Sequence, residues 1–520
     1  MSADAGNARL GAALRRRIKG EVLTEPQAMA PFSTDQSIYQ LWPQAVVIPR
    51  DLQDVVAAVR FAREAGLPLT PRGGGTSTAG SSLGTGIVLA LRRGSPMNRI
   101  LDFAGSPPRV TVEPALLHDD LQRYLRERGC FLPADPSSGN ICLLGGNIAT
   151  KASGPHAFRH GSIDRYLERL QFVTAAGDVV DTAAEETIPA RIREALLALR
   201  AAILADDAAV GRLQSRREMK IASGYNLFSF LRHERVGDFT AQMLVGSVGT
   251  LGVITQATLR TEPYLPERAM TLLYFRRLDD AGDAVMRIKP LGVAAIEIIN
   301  HSSIAIVKAR DAHLAVPAGE AHMLVVEYEG PARHEQSARV ERIVREQGYD
   351  LAWPPITEEG AESQAEVWKV RKGLLPMVLS YRRDRKAYSL VNDVGVDEAC
   401  LAPFIRDVEA IFGRHGLEAA IYGHAGSGNL HLRPLFDPGH PQLAPLLERV
   451  ADEVYEAVFR YGGTITAEHG MGRVRAPFLE REWGPAMVGY MRRVKEAFDP
   501  EGLLNPGAMF PVQGLVENMR

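Results

Sequence analysis

Two short segments late in the sequence carry side chains that can bind a metal ion or accept a proton. The first, IYGHAGSGNLHL, contains His424 and His431 on either side of a glycine loop. The second, AEHGMGR, contains Glu468 directly before His469. Imidazole nitrogens and carboxylate oxygens are suitable ligands for zinc, manganese or iron. Spacing alone does not show that the two segments meet, so histidines hydrogen-bonded within tight turns are the alternative interpretation.

Three glycine-rich segments earlier in the sequence suit an anionic ligand. PRGGGTS at 71–77 has three consecutive glycines, so its backbone N–H groups can converge on a phosphate, and Arg72 adds charge. A glycine turn taken alone is more often only a turn, and this one is not a Rossmann G-x-G-x-x-G. The segment at 136–154 has small residues and no helical or strand period, and GSVGTLGVIT follows at 246–255. Together the three segments fit an extended dinucleotide.

Hydrophobic periodicity predicts the elements that position these segments. Apolar runs bounded by turn residues predict strands, and apolar residues at helical spacing predict helices that end at glycine. The predicted strands are 45–48, 86–91, 109–112, 171–175, 178–181, 243–245, 270–275 and 323–328. The predicted helices are 51–66, 117–129 and 189–204. Strand–helix units around a glycine loop, with a change of composition near 263–266, indicate an α+β protein with more than one domain.

Composition narrows the class of protein. The 520 residues are 46% hydrophobic and 23% charged, which is typical of a globular protein of two or three domains. The net charge of −2 gives no basic excess, so nucleic acid is not an expected partner. Cys130, Cys142 and Cys400 lie far apart, which argues against a disulfide framework and a cysteine-ligated iron–sulfur cluster. Without a secretory signal or a bilayer-length apolar run, we expect a cytoplasmic protein, peripheral at a membrane only through a partner.

Several segments, in order along the chain, resemble one known family. They are PRGGGTS, GGNIATKASGPHAFRHG, GSVGTLGVIT, GHAGSGNLHL, AEHGMGR and FDPEGLLNPG. The chain resembles FAD-linked oxidases of the vanillyl-alcohol-oxidase type, in the branch of D-lactate dehydrogenases, glycolate oxidases and 2-hydroxyglutarate dehydrogenases. The resemblance implies an α+β fold with a two-subdomain FAD-binding domain and a cap built on an antiparallel sheet. We expect a helical extension at 1–29, the FAD-binding domain at 30–263, the cap at 264–463, and a segment at 464–520 that completes the active site.

The resemblance also implies that the three glycine-rich segments bind FAD. The first would hold the pyrophosphate, the second would line the flavin, and Ile254 would lie near the adenine. The residues expected to contact the cofactor are Pro71, Arg72, Gly73, Gly74, Gly75, Thr76, Ser77, Gly80, Pro136, Ser137, Gly145, Gly146, Asn147, Ala149, Thr150, Ser153, Gly154, Gly249, Val253, Ile254 and Asn505. The first loop lacks the histidine through which some relatives attach FAD, so we expect non-covalent FAD. Val248 stands where many relatives carry glutamate, which can weaken one contact.

The same resemblance assigns chemistry to the late segments. His424, His431 and Glu468 would bind a divalent metal (zinc, manganese or iron) that holds the hydroxyl and carboxylate oxygens of a 2-hydroxy acid. His469 would be the catalytic base that accepts the hydroxyl proton while the α-hydride passes to the flavin. Arg371 in WKVRKG matches the family's substrate arginine, a side chain that can hold a carboxylate through two hydrogen bonds.

The predicted substrate pocket departs from the pattern of the 2-hydroxyglutarate enzymes. Leu375 and Val391 stand roughly where those enzymes place a threonine and a lysine, whereas Arg433 stands where many relatives have asparagine. Asn392 is a further residue expected to contact substrate. The pocket lacks a cation at Val391 and has an additional one at Arg433, which indicates a rearranged substrate pocket. The sequence therefore leaves the identity and the handedness of the substrate acid open.

The resemblance therefore predicts an FAD-dependent dehydrogenase that oxidises a small 2-hydroxy acid, such as D-lactate or glycolate, to the 2-oxo acid. Because the chain has no cysteine cluster, we expect a separate iron–sulfur protein, cytochrome or quinone as electron acceptor, and a homodimer is compatible with the sequence. One alternative is a non-redox flavoenzyme of the alkyl-glycerone-phosphate synthase branch, which would call for a histidine-rich run that the sequence lacks. Another is a catalytically silent FAD-binding subunit of a larger complex.

Overall fold

The first sheet of the fold carries the first glycine-rich segment at the end of one strand. The computed structural model describes residues 3–310, 316–317, 319–381 and 384–520. In order across this sheet the strands are Glu21–Leu23, Ala45–Ile48, Ile87–Ala90 and Leu69–Arg72. The first pair is antiparallel and the other two pairs are parallel. Its first strand falls within the region predicted as a helical extension, whose helices are Ala3–Arg15 and Pro26–Met29.

A second, antiparallel sheet completes the N-terminal half. Its strands, in order, are Ile100–Gly105, Pro108–Val112, Val253–Arg260, Leu167–Val173 and Val179–Asp181. Cys130–Phe131 and Glu262–Pro263 form a separate antiparallel pair. The helices of this half are Leu52–Glu64, His118–Arg126, Leu144–Thr150, Ala157–His160, Ala190–Leu204, Asp207–Ser215, Ser229–Arg232 and Val236–Leu244. The predicted strands at 45–48 and 109–112 and the predicted helix at 189–204 are confirmed to within a residue.

Two local predictions in this half are wrong. The apolar run at 243–245 is not a strand, because Met243 lies in the last turn of the helix Val236–Leu244. A short apolar run cannot be distinguished from the end of a buried helix by its period alone. The segment at 136–154 is not irregular throughout, since its middle forms the helix Leu144–Thr150. Two glycines within that helix hid its propensity, and packing against the rest of the domain stabilises it instead.

The C-terminal half is built on one large antiparallel sheet. Its strands, in order, are Leu351–Glu358, Arg268–Phe275, His322–Glu329, Ala295–Ile299, Glu418–His424, Asn429–Phe436 and Lys386–Ala387, and Val394–Gly395 also pairs with Asn429–Phe436. The helices are Leu278–Ile288, His301–Arg310, Arg333–Gln347, Ala361–Leu379, Leu401–Arg414, Leu443–Arg460 and Leu479–Phe498. Sheets and helices segregated in this way confirm the predicted α+β class. Among the helices described, none has the length and apolar character needed to span a membrane.

The two halves are joined across a partly buried ionic cluster, which we call the clamp: Asp135, His156, Arg268 and Glu327. Glu327 lies on the strand His322–Glu329 of the large sheet, and its side chain is only 2% exposed. His156 bridges the halves, since its Nδ1 lies 2.6 Å from Asp135 Oδ2 and its Nε2 contacts Glu327. Arg268 Nη1 donates to Glu327 Oε1 at 3.0 Å. The clamp satisfies a carboxylate that would otherwise be buried without a partner.

The clamp also fixes the helix that carries Arg371. Trp368 lies three residues earlier on the same helix, and its indole N–H donates to Glu327 Oε1 at 3.3 Å. Burial favours neutral His156, but Asp135 and Glu327 outweigh it and raise the pKa of His156 to about 10. Burial also favours neutral Glu327, but His156 and Arg268 lower the pKa of Glu327 to about 2. His156 and Glu327 are therefore both charged at neutral pH.

We expect His156→Gln to lower the free energy of unfolding by about 1.5–3 kcal/mol, the range for a hydrogen bond to a charged group. Because the pKa of His156 is raised from its ordinary value of 6.5, the contribution of this residue to stability is complete below pH 6.5. It is lost as the pH rises through about 10. Because the pKa of Glu327 is lowered from its ordinary value of 4.5, the contribution of this residue to stability is complete above pH 4.5. It is lost as the pH falls towards about 2. Thermal melts of wild type and variant should therefore differ most near pH 6 and converge at high pH.

His334→Gln is the matched control for the clamp. His334 pairs with Glu359 at 3.1 Å, but both side chains are more than half exposed. Exposed pairs contribute little, so the melting temperature of this variant should stay close to that of wild type. Equal melting temperatures for both variants at pH 6 would contradict a stabilising clamp.

Candidate active site

A cleft of about 780 Å³ runs between the two halves and collects most of the predicted site residues. Its walls include all three glycine-rich segments and the inner face of the large sheet. The predicted cofactor residues that line it are Pro71, Arg72, Gly73, Gly74, Gly75, Thr76, Ser77, Pro136, Ser137, Gly145, Gly146, Asn147, Ala149, Thr150, Ser153, Gly154, Gly249, Val253 and Ile254. The predicted chemical residues that line it are Arg371, His431, Arg433, Glu468 and His469. One cleft therefore holds the glycine loops and the chemical residues together.

The glycines of the first two segments allow a close approach of main chain to the cleft. A Cβ built on Gly74 would lie 2.7 Å from the carbonyl oxygen of Ile141, so a side chain there would push the two segments apart. A Cβ on Gly73 would lie 3.6 Å from Gly146 Cα, whereas one on Gly146 would meet no atom within 4 Å. A side chain at Gly146 would thus project into open space beside the first loop. This backbone-lined cradle fits a flat, extended cofactor such as FAD.

Two predicted cofactor residues, Gly80 and Asn505, do not line the cleft but support its walls. Gly80 has φ +77°, and a Cβ there would lie 2.7 Å from the Tyr39 ring. The Asn505 side-chain amide donates to the carbonyl oxygens of Ser81 and Val248, each at 2.7 Å. Asn505 therefore ties the first glycine segment to the third. Val248 itself adopts φ +47°, a conformation that is strained for a β-branched residue.

The Arg72 guanidinium is engaged by backbone carbonyls. It donates to the oxygens of Pro31 at 3.1 Å, Thr34 at 2.9 Å and Ser82 at 3.3 Å. It also lies directly behind the loop, because a Cβ on Gly75 would be 2.4 Å from its Nη2. Burial lowers the pKa of Arg72. The guanidinium thus braces the loop from behind.

A tight hairpin brings the two histidines of the first late segment to one place. His424 ends the strand Glu418–His424, and His431 lies on the next strand, opposite Tyr422. The turn between them requires Gly428, which has φ +63° and would place a Cβ 1.8 Å from the Val396 carbonyl oxygen. The two imidazole ring centres consequently lie 5.3 Å apart.

Asp393 holds the second late segment against this hairpin. Its side chain is fully buried, and Oδ2 accepts the backbone N–H groups of Ala467 at 3.2 Å, Glu468 at 3.1 Å and His469 at 2.9 Å. The hydroxyl of Thr466 donates to the same oxygen at 2.6 Å. Burial alone would raise the pKa of Asp393, but its electrostatic interactions with the His469 imidazole and the Arg475 guanidinium outweigh it and lower the pKa. One carboxylate thus fixes the turn that presents Glu468 and His469.

The structure brings His424, His431 and Glu468 together as a potential cation site. Glu468 Oε1 lies 3.3 Å from His424 Nε2 and 3.4 Å from His431 Nε2. His431 donates from Nδ1 to the Asn392 carbonyl at 3.1 Å, so its Nε2 lone pair is directed at the carboxylate. Burial lowers the pKa of His431 well below its ordinary value. Lone pairs that converge in this way need a positive centre among them, which a metal ion or a proton on His424 would supply.

Glu297 orients His424 from behind. This carboxylate is fully buried in the strand Ala295–Ile299, and its Oε1 lies 2.6 Å from His424 Nδ1. Burial would lower the pKa of His424, but Glu297 and Glu468 outweigh it and raise the pKa. A carboxylate on the outer nitrogen of a ligating histidine fixes the ring and its tautomer. Glu297 therefore directs His424 Nε2 towards Glu468.

Two buried arginines face the same end of the cleft. Arg371 is paired with Glu297, since its Nε donates to Glu297 Oε2 at 2.6 Å and its Nη2 also lies 2.6 Å from that oxygen. Arg433 is 2% exposed; its Nη1 donates to Ser389 Oγ at 3.0 Å, and its Nε has no partner among the described residues. A buried donor left without an acceptor, as at Arg433 Nε, is suited to an anionic ligand.

Asn392 is not brought to the cleft wall. It is fully buried, and its side-chain amide donates to Thr78 Oγ1 at 3.1 Å and lies 3.5 Å from His469 Nδ1. In this position it supports the histidine and does not line the space for a substrate. Val391 is also fully buried, and the side chain of Leu375 lies outside the described residues.

His469 is the most open of the three histidines. Its side chain is 28% exposed, compared with 3% for His424 and 8% for His431. Its ring stacks on that of His431 at 5.3 Å, and its Nε2 lies 3.6 Å from Glu468 Oε1. Burial lowers the pKa of His469, so the ring is neutral at pH 7 and can accept a proton.

Three charged residues of this site were not predicted from the sequence, namely Lys220, Glu297 and Asp393. A glutamate inside the apolar strand AIEII was a usable signal, because a charge in a buried strand needs a partner. Lys220 gave no such signal, since its partner Glu468 lies 248 residues away in the sequence. Only the fold brings these two side chains together.

We expect Asp393→Asn to lower the free energy of unfolding by about 1–3 kcal/mol, since part of the N–H cluster at 467–469 would lose its acceptor. Asp397→Asn is the control, because Asp397 is exposed and accepts a single N–H from Ala399 at 2.9 Å. An asparagine oxygen can replace that contact, so the change there should stay within about 0.5 kcal/mol. Thermal or urea denaturation measures both, and equal losses would contradict the role of Asp393.

Two known protein families match long stretches of this chain. Residues 43–183 match an FAD binding domain family, and residues 265–509 match the family of FAD linked oxidases, C-terminal domain. Among solved structures, p-cresol methylhydroxylase with substrate bound superposes with a TM-score of 0.71 at 14% identity, covering 99% of this chain and 98% of that one. A 4-ethylphenol oxidase from Gulosibacter chungangensis gives a TM-score of 0.67 at 17% identity, covering 98% of both chains. These structures establish the fold.

Relatives in sequence extend over nearly the whole chain. A D-2-hydroxyglutarate dehydrogenase of Escherichia coli (strain K12) is 30% identical over 95% of this chain, which spans about half (51%) of that relative. Glycolate oxidase subunit GlcD of Bacillus subtilis (strain 168) is 28% identical over 91% of this chain and 90% of its own length. A probable mitochondrial D-lactate dehydrogenase of Danio rerio is 29% identical, covering 91% of this chain and 86% of the relative. The chain belongs to the FAD-linked oxidases and has the fold of the vanillyl-alcohol-oxidase type.

Proposed function

We propose that this protein is an FAD-dependent dehydrogenase that oxidises a small 2-hydroxy acid, such as D-lactate or glycolate, to the corresponding 2-oxo acid. The observation that carries the proposal is the convergence of a base, a cation site and two buried arginines at one end of a cleft whose other walls are glycine loops. Relatives named for 2-hydroxy acids, with D-2-hydroxyglutarate, glycolate and D-lactate among them, support the same substrate class.

Non-covalent FAD is the proposed cofactor. The backbone-lined cradle around Gly73 and Gly146 suits it, and the first loop offers no histidine for covalent attachment. When bound, FAD supplies the acceptor for the α-hydride of the substrate. A separate iron–sulfur protein, cytochrome or quinone would then take the electrons, and we propose a cytoplasmic location, with any membrane association through that acceptor.

A divalent metal is proposed at His424, His431 and Glu468. The ligand atoms of these three side chains lie within 4.8 Å of one another, and all three residues are buried. Two imidazoles and a carboxylate are a suitable donor set for zinc, manganese or iron. Such an ion would supply a Lewis acid that makes the substrate hydroxyl more acidic.

The side chains of the protein carry out the remaining steps, which are proton transfer and binding of the substrate carboxylate. His469 accepts the hydroxyl proton at Nε2, the ring nitrogen that lies beside Glu468 Oε1. On the opposite side of the ring the Asp393 carboxylate lies 3.8 Å from Nδ1 and favours the proton on that nitrogen. Arg433, whose Nε has no acceptor among the described residues, holds the substrate carboxylate together with Arg371. The clamp keeps the helix that carries Arg371 in place above the cleft.

We expect the flavin of the purified protein to bleach when at least one acid of a D- and L-2-hydroxy-acid panel is added without oxygen. His469→Gln should retain bound FAD but slow the bleaching by about 10²–10⁴-fold, the usual contribution of a general base. Flavin absorbance in a stopped-flow instrument measures both.

Other outcomes of this panel separate the alternatives. Bleaching by no acid, in protein that holds FAD, would favour a non-redox flavoenzyme or a catalytically silent subunit and would overturn the proposed activity. An unchanged bleaching rate in His469→Gln would remove His469 as the base and leave the substrate class standing.

Metal analysis tests the cation site independently of turnover. Dialysed wild type should contain about one bound divalent metal per chain, and His431→Ala should lose most of it, since one of three protein ligands is gone. His440→Ala is the control, because His440 is exposed and lies outside the cleft. Equal metal content in wild type and His431→Ala would contradict the proposed ligands.

A further inference from the structure

Lys220 places an ammonium group directly behind the proposed metal ligand Glu468. Its side chain is only 9% exposed, and its Nζ lies 2.7 Å from Glu468 Oε2. The same Nζ donates to Asn429 Oδ1 at 3.0 Å. Burying an ammonium is costly unless it is paired and hydrogen-bonded, so this contact is a built feature of the site.

The two oxygens of Glu468 have different surroundings. Oε2 receives the Lys220 ammonium and, at 3.2 Å, the hydroxyl of Ser153. Oε1 faces the three histidines, with the Nε2 atoms of His424, His431 and His469 at 3.3, 3.4 and 3.6 Å. One oxygen is therefore occupied by donors from the N-terminal half, and the other is left for the site.

Lys220 is itself held in place by contacts with the turn that carries Glu468. Two residues later, the N–H of Ala222 donates to the Thr466 carbonyl at 2.9 Å. Asn429 links the ammonium to Asp393, because its Nδ2 donates to Asp393 Oδ1 at 2.9 Å. Asp393 in turn accepts the N–H of Glu468. Side chain and backbone of Glu468 thus lie on one closed hydrogen-bonded ring.

We propose that Lys220 is a positioning residue that restricts Glu468 to single-oxygen metal ligation through Oε1. The proposal rests on the metal site proposed above and concerns its geometry. With Oε2 held by Lys220 and Ser153, the carboxylate cannot rotate to offer both oxygens to an ion. Monodentate ligation leaves coordination positions for the hydroxyl and carboxylate oxygens of a substrate.

Cobalt substitution provides a readout of ligand geometry that does not depend on turnover. FAD-loaded protein is stripped of metal, titrated with Co²⁺, and its visible cobalt absorption is recorded against the apoprotein. In Lys220→Met, a side chain of similar length without charge, we expect a changed cobalt spectrum and a change in Co²⁺ affinity of about 10–100-fold. Lys220→Arg restores a charged donor and should recover part of both. The rate of flavin reduction should fall more than the substrate KM rises.

Lys289→Met is the matched control, since Lys289 Nζ also lies 2.7 Å from a carboxylate, that of Glu398, but outside the cleft. Its cobalt spectrum should equal that of wild type. Ser153→Ala removes the second donor to Oε2 and should shift the spectrum in the same direction by less, which keeps the test available if Lys220→Met does not fold.

The outcomes separate the two proposals. Wild-type cobalt binding with an unaltered spectrum and affinity in Lys220→Met and in Ser153→Ala overturns the role of Lys220 and leaves the metal site intact. No Co²⁺ binding by wild type overturns the metal site and, with it, the role given to Lys220. A spectral change in Lys289→Met equal to that in Lys220→Met would show a general effect of charge and would also overturn it.

Discussion

The buried carboxylate of Asp393 is the constraint on which the chemical end of the cleft depends. It accepts three consecutive backbone N–H groups and thereby sets Glu468 and His469 side by side, facing a hairpin from another part of the chain. Side chains alone could not hold a base and a ligand in this relation, because each would rotate about its own bonds. The turn fixes the backbone first, and Glu297 and Lys220 then orient the side chains from behind.

Local sequence patterns predicted much of the fold, because the positions of many strands and helices follow from interactions between residues close together in the sequence. The strand Ala45–Ile48 and the helix Ala190–Leu204 follow from apolar runs with clear boundaries. The glycine-rich segments were assigned to one cofactor, and they do line one cleft, since a lack of side chains is itself a signal for close approach. The same signal hid the helix Leu144–Thr150, whose stability comes from packing that the segment alone does not reveal.

The remaining features depend on contacts between distant parts of the chain. Nothing near Lys220 in the sequence indicates Glu468, and nothing near His156 indicates Glu327. Arg72 and Asn392 have residue types suited to binding, but backbone carbonyls and Thr78 respectively engage them. A residue type states what a side chain can do; the neighbours that compete for it are known only once the fold is known. The domain limits drawn from the sequence stay a prediction.

Asn505 has a consequence for synthesis of the protein. This residue joins the loops that contain Ser81 and Val248, although more than four hundred residues separate it from the first of them. The nascent chain therefore exposes these loops without that tie until Asn505 has left the ribosome. The partly folded chain that still lacks Asn505 is the form most open to chaperones and proteases.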